Sequence, residues 1–275
     1  MKDLRCIYSE TKKLALTGST GFVGKAIINM SYALDFKAIS FLELPTSCVI
    51  IHCAADMSGL KESFINNVEN DLVLIEDAIS KNNKIIYLST NNIYSKTLNC
   101  RVQDKPLMTD YYSGSKIVGE ILLTKMVPSN YCSIRVADVF GVGQKHGNFF
   151  RSIENSIRTK SPINLMGSGL KLRSYIHVEE LAKFLLFIYQ KMLKNHDNPN
   201  IINCCYRDSL NLLEIADLVS KYAKLEIKLL PSSSKIQTPD IRTMIPGPFL
   251  DYNFLYSSFE TALKSYITQV QNFKG

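Results

Sequence analysis

Tyr112 and Lys116 stand four residues apart, a spacing that puts both on one face of a helix. A free tyrosine titrates near about 10 and exchanges protons poorly at neutral pH. An ammonium beside it favours the phenolate and lowers that value, so the pair is expected to work as an acid–base unit. Lys116 is also placed to hydrogen-bond a nucleotide ribose. Tyr111 is five residues from Lys116 and points elsewhere. A Tyr and a Lys on one helix face are common, so the pair gains weight only from its setting. A second group is Gly18-Ser19-Thr20-Gly21-Phe22-Val23-Gly24. Gly18 permits a tight turn, Gly21 lets the backbone approach a pyrophosphate, and Gly24 lets helix and strand pack closely. A helix opening there supplies free N–H groups and a positive dipole end for phosphates. Three glycines also make a purely structural turn, and the spacing is GxxGxxG rather than GxGxxG. The strand before it and the helix after it favour a dinucleotide site. A third group is Leu88-Ser89-Thr90-Asn91-Asn92-Ile93-Tyr94, at the end of an apolar strand, where open α/β sheets bind ligands. Thr90 is expected to donate to a substrate oxygen beside Tyr112. Ser, Thr and Asn are also ordinary turn residues.

The elements that must position these residues follow from periodicity. Strands are expected at 13–17, 37–42, 48–53, 84–90 and 131–137, and helices at 22–33, 63–81 and 111–125. Cys48 to Cys53 is a continuous β-branched run, as in a strand buried on both faces. The 63–81 helix carries Phe64, Val68, Leu72, Ile75 and Ile79 on one stripe. Alternation of strand and helix to about residue 140 predicts a parallel sheet with helices on both faces. Beyond it, helices are expected at 148–160, 177–193, 211–223 and 257–271, and short strands at 201–204 and 226–230. The segment 231–248, rich in Ser, Pro and Gly, reads as loop. The fold class is therefore α/β, a Rossmann-type doubly wound parallel sheet with a smaller C-terminal α/β substrate-binding region. Residues 1–140 are expected to form the dinucleotide-binding Rossmann domain, to which some later segments return, and 141–275 mainly the second, smaller region.

The chain has 275 residues, 46% hydrophobic and 21% charged, enough for a core of ordinary size. The net charge of +7 is scattered rather than gathered into a stripe, which argues against a nucleic-acid partner. Seven cysteines with no metal-ligand spacing, several inside apolar runs, fit a reducing compartment. The first ten residues lack the apolar stretch of a signal peptide and no run is long enough to span a bilayer, so a cytoplasmic location without membrane contact is expected. His52, His146, His177 and His196 are not spaced for a metal, and none is expected.

Together the motifs resemble the extended short-chain dehydrogenase/reductase family, which comprises nucleotide-sugar epimerases, dehydratases and reductases. TGSTGFVG is similar to its cofactor turn and brings Gly18, Thr20, Gly21, Phe22, Val23 and Gly24 into the cofactor site. Ile51-His52-Cys53-Ala54-Ala55 resembles the stretch lining the cofactor, which implies Cys53, Ala54 and Ala55. Asn67 stands where the family often has asparagine. LSTNNIY resembles the strand of the catalytic Ser or Thr, giving Ser89 to the cofactor and Thr90 to catalysis. YYSGSK matches YxxxK, with Tyr112 and Lys116 catalytic and in contact with the cofactor. Ile134 to Gly141 and Arg173-Ser174-Tyr175-Ile176-His177-Val178 resemble segments of the substrate region. The implied substrate contacts are Thr90, Asn91, Asn92, Asp138, Asn148 and Arg173, the last as a clamp on a diphosphate. Asp138 stands where the family commonly has asparagine. Only 27 residues lie between Gly24 and His52, room for one strand where the family usually fits two. The acidic residue for the adenosine ribose has no clear equivalent, and Glu43 is the nearest candidate.

The resemblance implies an NAD- or NADP-dependent nucleotide-sugar epimerase or 4-ketoreductase, working by hydride transfer with Thr90, Tyr112 and Lys116, on a nucleotide-diphosphate sugar, as a homodimer. The dehydratases carry an Asp-Glu pair after the catalytic threonine. Here those positions are Asn91 and Asn92, and an amide cannot exchange a proton near neutral pH. The alternatives are a dehydratase, a reductase of a non-sugar substrate, and a non-catalytic NAD(P)-binding protein of the same fold.

Overall fold

The computed structural model describes residues 5–31, 35–95, 97–144, 148–197, 199–231, 240–247 and 257–272. The chain divides into two compact units. The first comprises Met1–Ser95, Val102–Val136 and Leu181–Cys204, and the second Lys96–Arg101, Ala137–Glu180 and Cys205–Gly275.

The first unit is built on β1 (Arg5–Ser9), β2 (Leu14–Thr17), β3 (Lys37–Ser40), β4 (Val49–His52), β5 (Lys84–Thr90), β6 (Tyr131–Val136) and, late in the chain, β10 (Ile201–Cys204). They form one sheet in the order β10-β6-β5-β4-β2-β1-β3, parallel from β10 to β2. Every residue of β2, β4 and β6 is buried, which explains the apolar runs in their sequences. Helices α1 (Phe22–Met30), α2 (Lys61–Ser80) and α3 (Tyr111–Met126) belong to this unit. Their spans agree with the periodicity to within a few residues.

Two features depart from expectation. Arg5–Ser9 was not expected to be a strand, yet it turns back on β2 as an antiparallel hairpin with Cys6 beside Thr17, and β3 pairs with it on the far side, Ser40 beside Arg5. The strand next to the glycine turn is therefore β1, and β3 is displaced to the sheet edge. In α2 the buried face is Ser63, Asn67, Asp71, Leu74, Ile75 and Ala78, rotated from the expected stripe. Phe64, Val68 and Leu72 are half-buried and Ile79 is exposed. Periodicity followed the apolar residues, whereas the helix also buries polar ones, because Asp71 bonds His52 and Tyr87 of the sheet and Asn67 bonds the Asp56 backbone.

The second unit holds β7 (Asp138–Phe140), β9 (Leu172–His177), β11 (Ser209–Asn211) and β13 (Ile241–Arg242), with β9 central, and a separate parallel pair, β8 (Ile163–Met166) with β12 (Ile227–Leu230). Around them lie α4 (Asn148–Thr159), α6 (Leu212–Ala223) and α7 (Phe259–Asn272). Phe140, Phe150, Tyr175, Phe259 and Tyr266 form its aromatic core, ring to ring. The expected loop 231–248 contains β13, while 232–239 and 248 lie outside the described residues. Helix α5 (Val178–Leu193) follows β9.

Candidate functional site

The turn after β2 is one that only glycine makes at two positions. Gly18 has φ +69°, and a Cβ there would lie 2.7 Å from the Ala54 amide nitrogen. A Cβ on Gly24 would lie 2.2 Å from the Gly18 carbonyl oxygen. At Gly21 the contact is gentler, 3.1 Å to the same oxygen. Gly21 caps α1 without a side-chain hydrogen bond, so the first-turn N–H groups keep their capacity for an anion. Phe22 and Val23, half-buried, open the helix. A cavity of about 390 Å³ lies above the turn, lined among others by Gly18, Thr20, Gly21, Cys53, Ala54 and Ala55. From α2 it is lined by Asn66, Asn67, Asn70 and Asp71. These residues fit a dinucleotide pyrophosphate: backbone donors, no side chain in the way, and no basic group needed.

Asn67 fixes the cavity wall. Its Oδ1 accepts from the Asp56 amide at 2.8 Å, and its Nδ2 donates to the Asp56 carbonyl at 2.9 Å and to Ser115 Oγ at 3.3 Å. Ser115 precedes Lys116, so this bond ties α3 to the cavity. Lys116 is 2% exposed, with its ammonium 4.4 Å from the centre of the Tyr87 ring on β5. The Tyr87 hydroxyl donates to Asp71 at 2.6 Å, and His52 bridges Asp71 at 3.0 Å and Thr17 at 2.7 Å. Burial pulls the Lys116 ammonium below its ordinary value, against the charge of Asp71.

Tyr112 is half-buried one turn earlier. Burial first, then Asp110 and Asp71, push its phenol up to about 12. The expectation that Lys116 lowers it is not met in this arrangement. The ammonium is directed to the face of Tyr87, while two carboxylates act on Tyr112. Asp110 is also the N-cap of α3, accepting from the Ser113 amide at 2.6 Å, so the cap that starts the helix adds negative charge beside Tyr112.

Thr90 ends β5 and is buried, and its hydroxyl accepts from the Asn92 amide at 3.2 Å, capping a single 3-10 turn over Asn91–Ile93. Asn91 is buried and Asn92 half-buried. Ser89 Oγ is buried without a hydrogen-bond partner among the described residues. Cys53 remains a thiol, pushed up to about 12 by burial. Arg173 and Asp138 belong to the second unit. Arg173 is buried and already ion-paired, with Asp240 closely and with Asp138 at 3.7 Å. Burial raises the Asp240 carboxyl, but its contacts with Arg173 and Lys171 outweigh that and hold it down to about 2. Asn148 opens α4, and its side chain lies outside the described residues. Glu43 is spent on a capping box, accepting from the Ser40 amide at 3.2 Å.

Sequence reasoning passed over Asn66, Asn70 and Asp71. A signal existed: Asn67, Asn70 and Asp71 recur at i, i+3 and i+4, a polar patch on a helix otherwise read for its apolar residues. Among the described residues, no group of His, Cys, Asp or Glu is placed to hold a metal, and no helix is long and apolar enough to cross a membrane.

A mainly parallel sheet with a glycine turn at its carboxyl edge and a YxxxK helix beside it define a Rossmann-type protein of the extended short-chain dehydrogenase/reductase kind. The sequence profile of the NAD dependent epimerase/dehydratase family matches residues 38–205, and the chain belongs to that family. No protein of curated function matched in sequence. The fold is similar to that of a UDP-N-acetylglucosamine 4-epimerase from Bacillus cereus: TM-score 0.79, 17% identity, 95% of this chain and 97% of that one covered. A dTDP-4-dehydrorhamnose reductase ortholog from Clostridium acetobutylicum gives TM-score 0.74 and 17% identity, covering 94% and 99%. A dTDP-glucose 4,6-dehydratase from Bacillus anthracis, solved with NAD, gives 0.75 and 15%, covering 95% and 96%.

Proposed function

We propose that the protein is an NAD(P)-dependent nucleotide-sugar 4-ketoreductase or epimerase, with reduction of a keto sugar as the favoured reaction. The observation that carries this reading is the coupling of α3 to the cavity above the glycine turn, through Ser115 to Asn67 and through Lys116 over Tyr87 to Asp71. A YxxxK helix tied to that cavity is what a dinucleotide-dependent oxidoreductase needs, and this supports the reading. A bound nicotinamide supplies hydride-transfer chemistry there. The chain's own residues handle the proton. A phenol pushed up to about 12 keeps its proton at neutral pH, so Tyr112 enters as a general acid, the role that carbonyl reduction requires. Thr90 donates to the same oxygen in place of its long bond to Asn91 Oδ1, while it still accepts from the Asn92 amide. Lys116 holds the ribose. Arg173 receives the substrate diphosphate, which takes the place of the Asp240 carboxylate on its guanidinium.

Asn91 and Asn92 speak against a dehydratase, since neither amide can shuttle the proton that elimination needs. For the cofactor, the reading favours NADP(H). The acid–ribose contact that selects NAD comes from the strand beside the glycine strand, and an Arg nearby accommodates the 2′-phosphate of NADP. Here that neighbour is antiparallel β1, which brings its first residue, Arg5, to the level of Gly18. Arg5 is exposed, and its side chain makes no ion pair or hydrogen bond with another described residue.

The test is a panel of UDP-, dTDP-, GDP- and CDP-sugars and their 4-keto forms, with and without NAD(P)H. Oxidation of NADPH on a 4-keto sugar is expected. Release of a 4-keto-6-deoxy product from a simple hexose nucleotide would sink the argument from Asn91 and Asn92.

A further inference from the structure

Asp71 is a buried carboxylate that takes no direct part in the proton or hydride transfer proposed above. It is 3% exposed and lines the cavity, yet its two oxygens face inward, to His52 Nε2 at 3.0 Å and the Tyr87 hydroxyl at 2.6 Å. One assignment satisfies every group in the chain. The Ala54 amide donates to Thr17 Oγ1 at 3.4 Å, and that hydroxyl donates to His52 Nδ1. Nε2–H and the Tyr87 O–H then both donate to Asp71. In this assignment the Nε2–H of His52 orients the carboxylate.

A cation is close at hand. The Lys116 ammonium sits over the ring whose hydroxyl Asp71 holds. A buried ammonium without a counter-charge is costly. The other carboxylate on α3 near it, Glu120, is already committed: it takes Arg135 at 2.7 and 3.1 Å and Ser133 at 3.1 Å. The helices are also shaped for this contact. A Cβ on Gly119 would lie 2.2 Å from the Tyr87 hydroxyl and 2.7 Å from Asp71 Oδ2, so α3 crosses α2 at a residue that leaves room for the bond.

We propose that Asp71 is the positioning residue for Lys116: through the ring of Tyr87, its carboxylate holds the ammonium in place and in its cationic form beneath the dinucleotide cavity. The inference rests on the roles given above to Tyr112 and Lys116. The electrostatics agree with the geometry. Lys116 is lowered by burial, and Asp71 is the foremost group opposing that fall. Burial raises the Asp71 carboxyl, but the His52 bond, the charges of Lys116 and His52 and the Tyr87 bond outweigh it and hold the carboxyl below its ordinary range. The titratable groups facing the pair are His52 and Cys53 from β4 and its exit, Tyr87 from β5, and Tyr112 and Glu120 from α3.

The experiment is the titration of Lys116 in the full chain without cofactor. Lysine labelled with ¹³C at Cε is followed by NMR, and the Lys116 signal is identified by its loss in Lys116→Met. In Asp71→Asn the Lys116 midpoint is expected to fall by about one pH unit or more, since an adjacent opposite charge is worth roughly one to three. Asp71→Ser, which also removes the charge and keeps a hydroxyl between His52 and Tyr87, should do the same. A merely structural role gives the opposite sign: loosened packing lets water reach the ammonium, and its midpoint rises. A midpoint that rises or stays put in a folded variant overturns the proposal. NADPH affinity of the wild-type chain, read separately by fluorescence, reports on the proposed function. Its absence would overturn that reading without altering the titration.

Discussion

At the residue scale, Tyr112 carries the sharpest expectation. Replacing it by Phe removes the hydroxyl that acts on the substrate oxygen and leaves the dinucleotide contacts alone. Turnover should fall about 10²–10⁴-fold with cofactor affinity nearly unchanged. Retention of more than about a tenth of wild-type turnover would take the acid role away from it. The phenol's value of about 12 also fixes a pH dependence. Reduction needs the protonated form and should run undiminished through neutral pH. Oxidation of the corresponding alcohol needs the phenolate and should accelerate as pH rises towards 10. The glycines are graded by the space around them. Gly24→Ala places a Cβ within bonding distance of the Gly18 carbonyl, so the turn must move. That variant should lose about 1–3 kcal/mol of stability together with its cofactor, as overpacked sites do. Gly21→Val, with only one tight contact, should fold normally yet bind NAD(P)H more weakly, because the side chain enters the cavity. Unchanged affinity by calorimetry in a folded Gly21→Val would move the pyrophosphate away from this turn.

At the scale of elements, the hairpin of β1 on β2 decides what meets the adenosine end. Strands in a sheet lie about 4.8 Å apart, so inserting β1 pushes β3 to about 10 Å from the glycine strand. Among the described residues, the strand beside the glycine strand therefore brings Arg5 rather than an acidic residue to the level of Gly18, and Glu43 caps its own turn. Arg5→Ala should weaken NADPH binding by about tenfold or more, the worth of a hydrogen bond to a charged group, and leave NADH binding unaltered. Equal losses for both cofactors in a fluorescence titration would show that Arg5 does not read the 2′-phosphate. The same reasoning explains why the strand was missed. RCIYS contains only one clearly periodic feature, and its stability comes from pairing on two sides rather than from its own sequence.

At the scale of the whole molecule, α2 keeps Phe64, Val68 and Leu72 half-buried and Ile65 43% exposed, and α3 leaves Ile121 53% exposed. Helices apolar on a second face call for a second partner, and the resemblance to the family supplies one in a symmetry mate. Sedimentation at micromolar concentration is expected to give a dimer, and a monomer would count against it. The sequence alone determined the class of the fold, because apolar runs and helical spacings report which segments must leave water. It displayed the glycine turn and the YxxxK pair for a related reason: their residue types and local spacing are legible without the fold. What it did not determine depends on contacts between segments far apart in the chain. His52, Asp71, Tyr87 and Lys116 are single polar residues in four different elements, and nothing in their spacing announces that they meet. Tertiary structure brought them together, and with them it reversed the sign of the effect on Tyr112. The burial and carboxylates that surround a phenol are set by packing, not by the helix on which it sits.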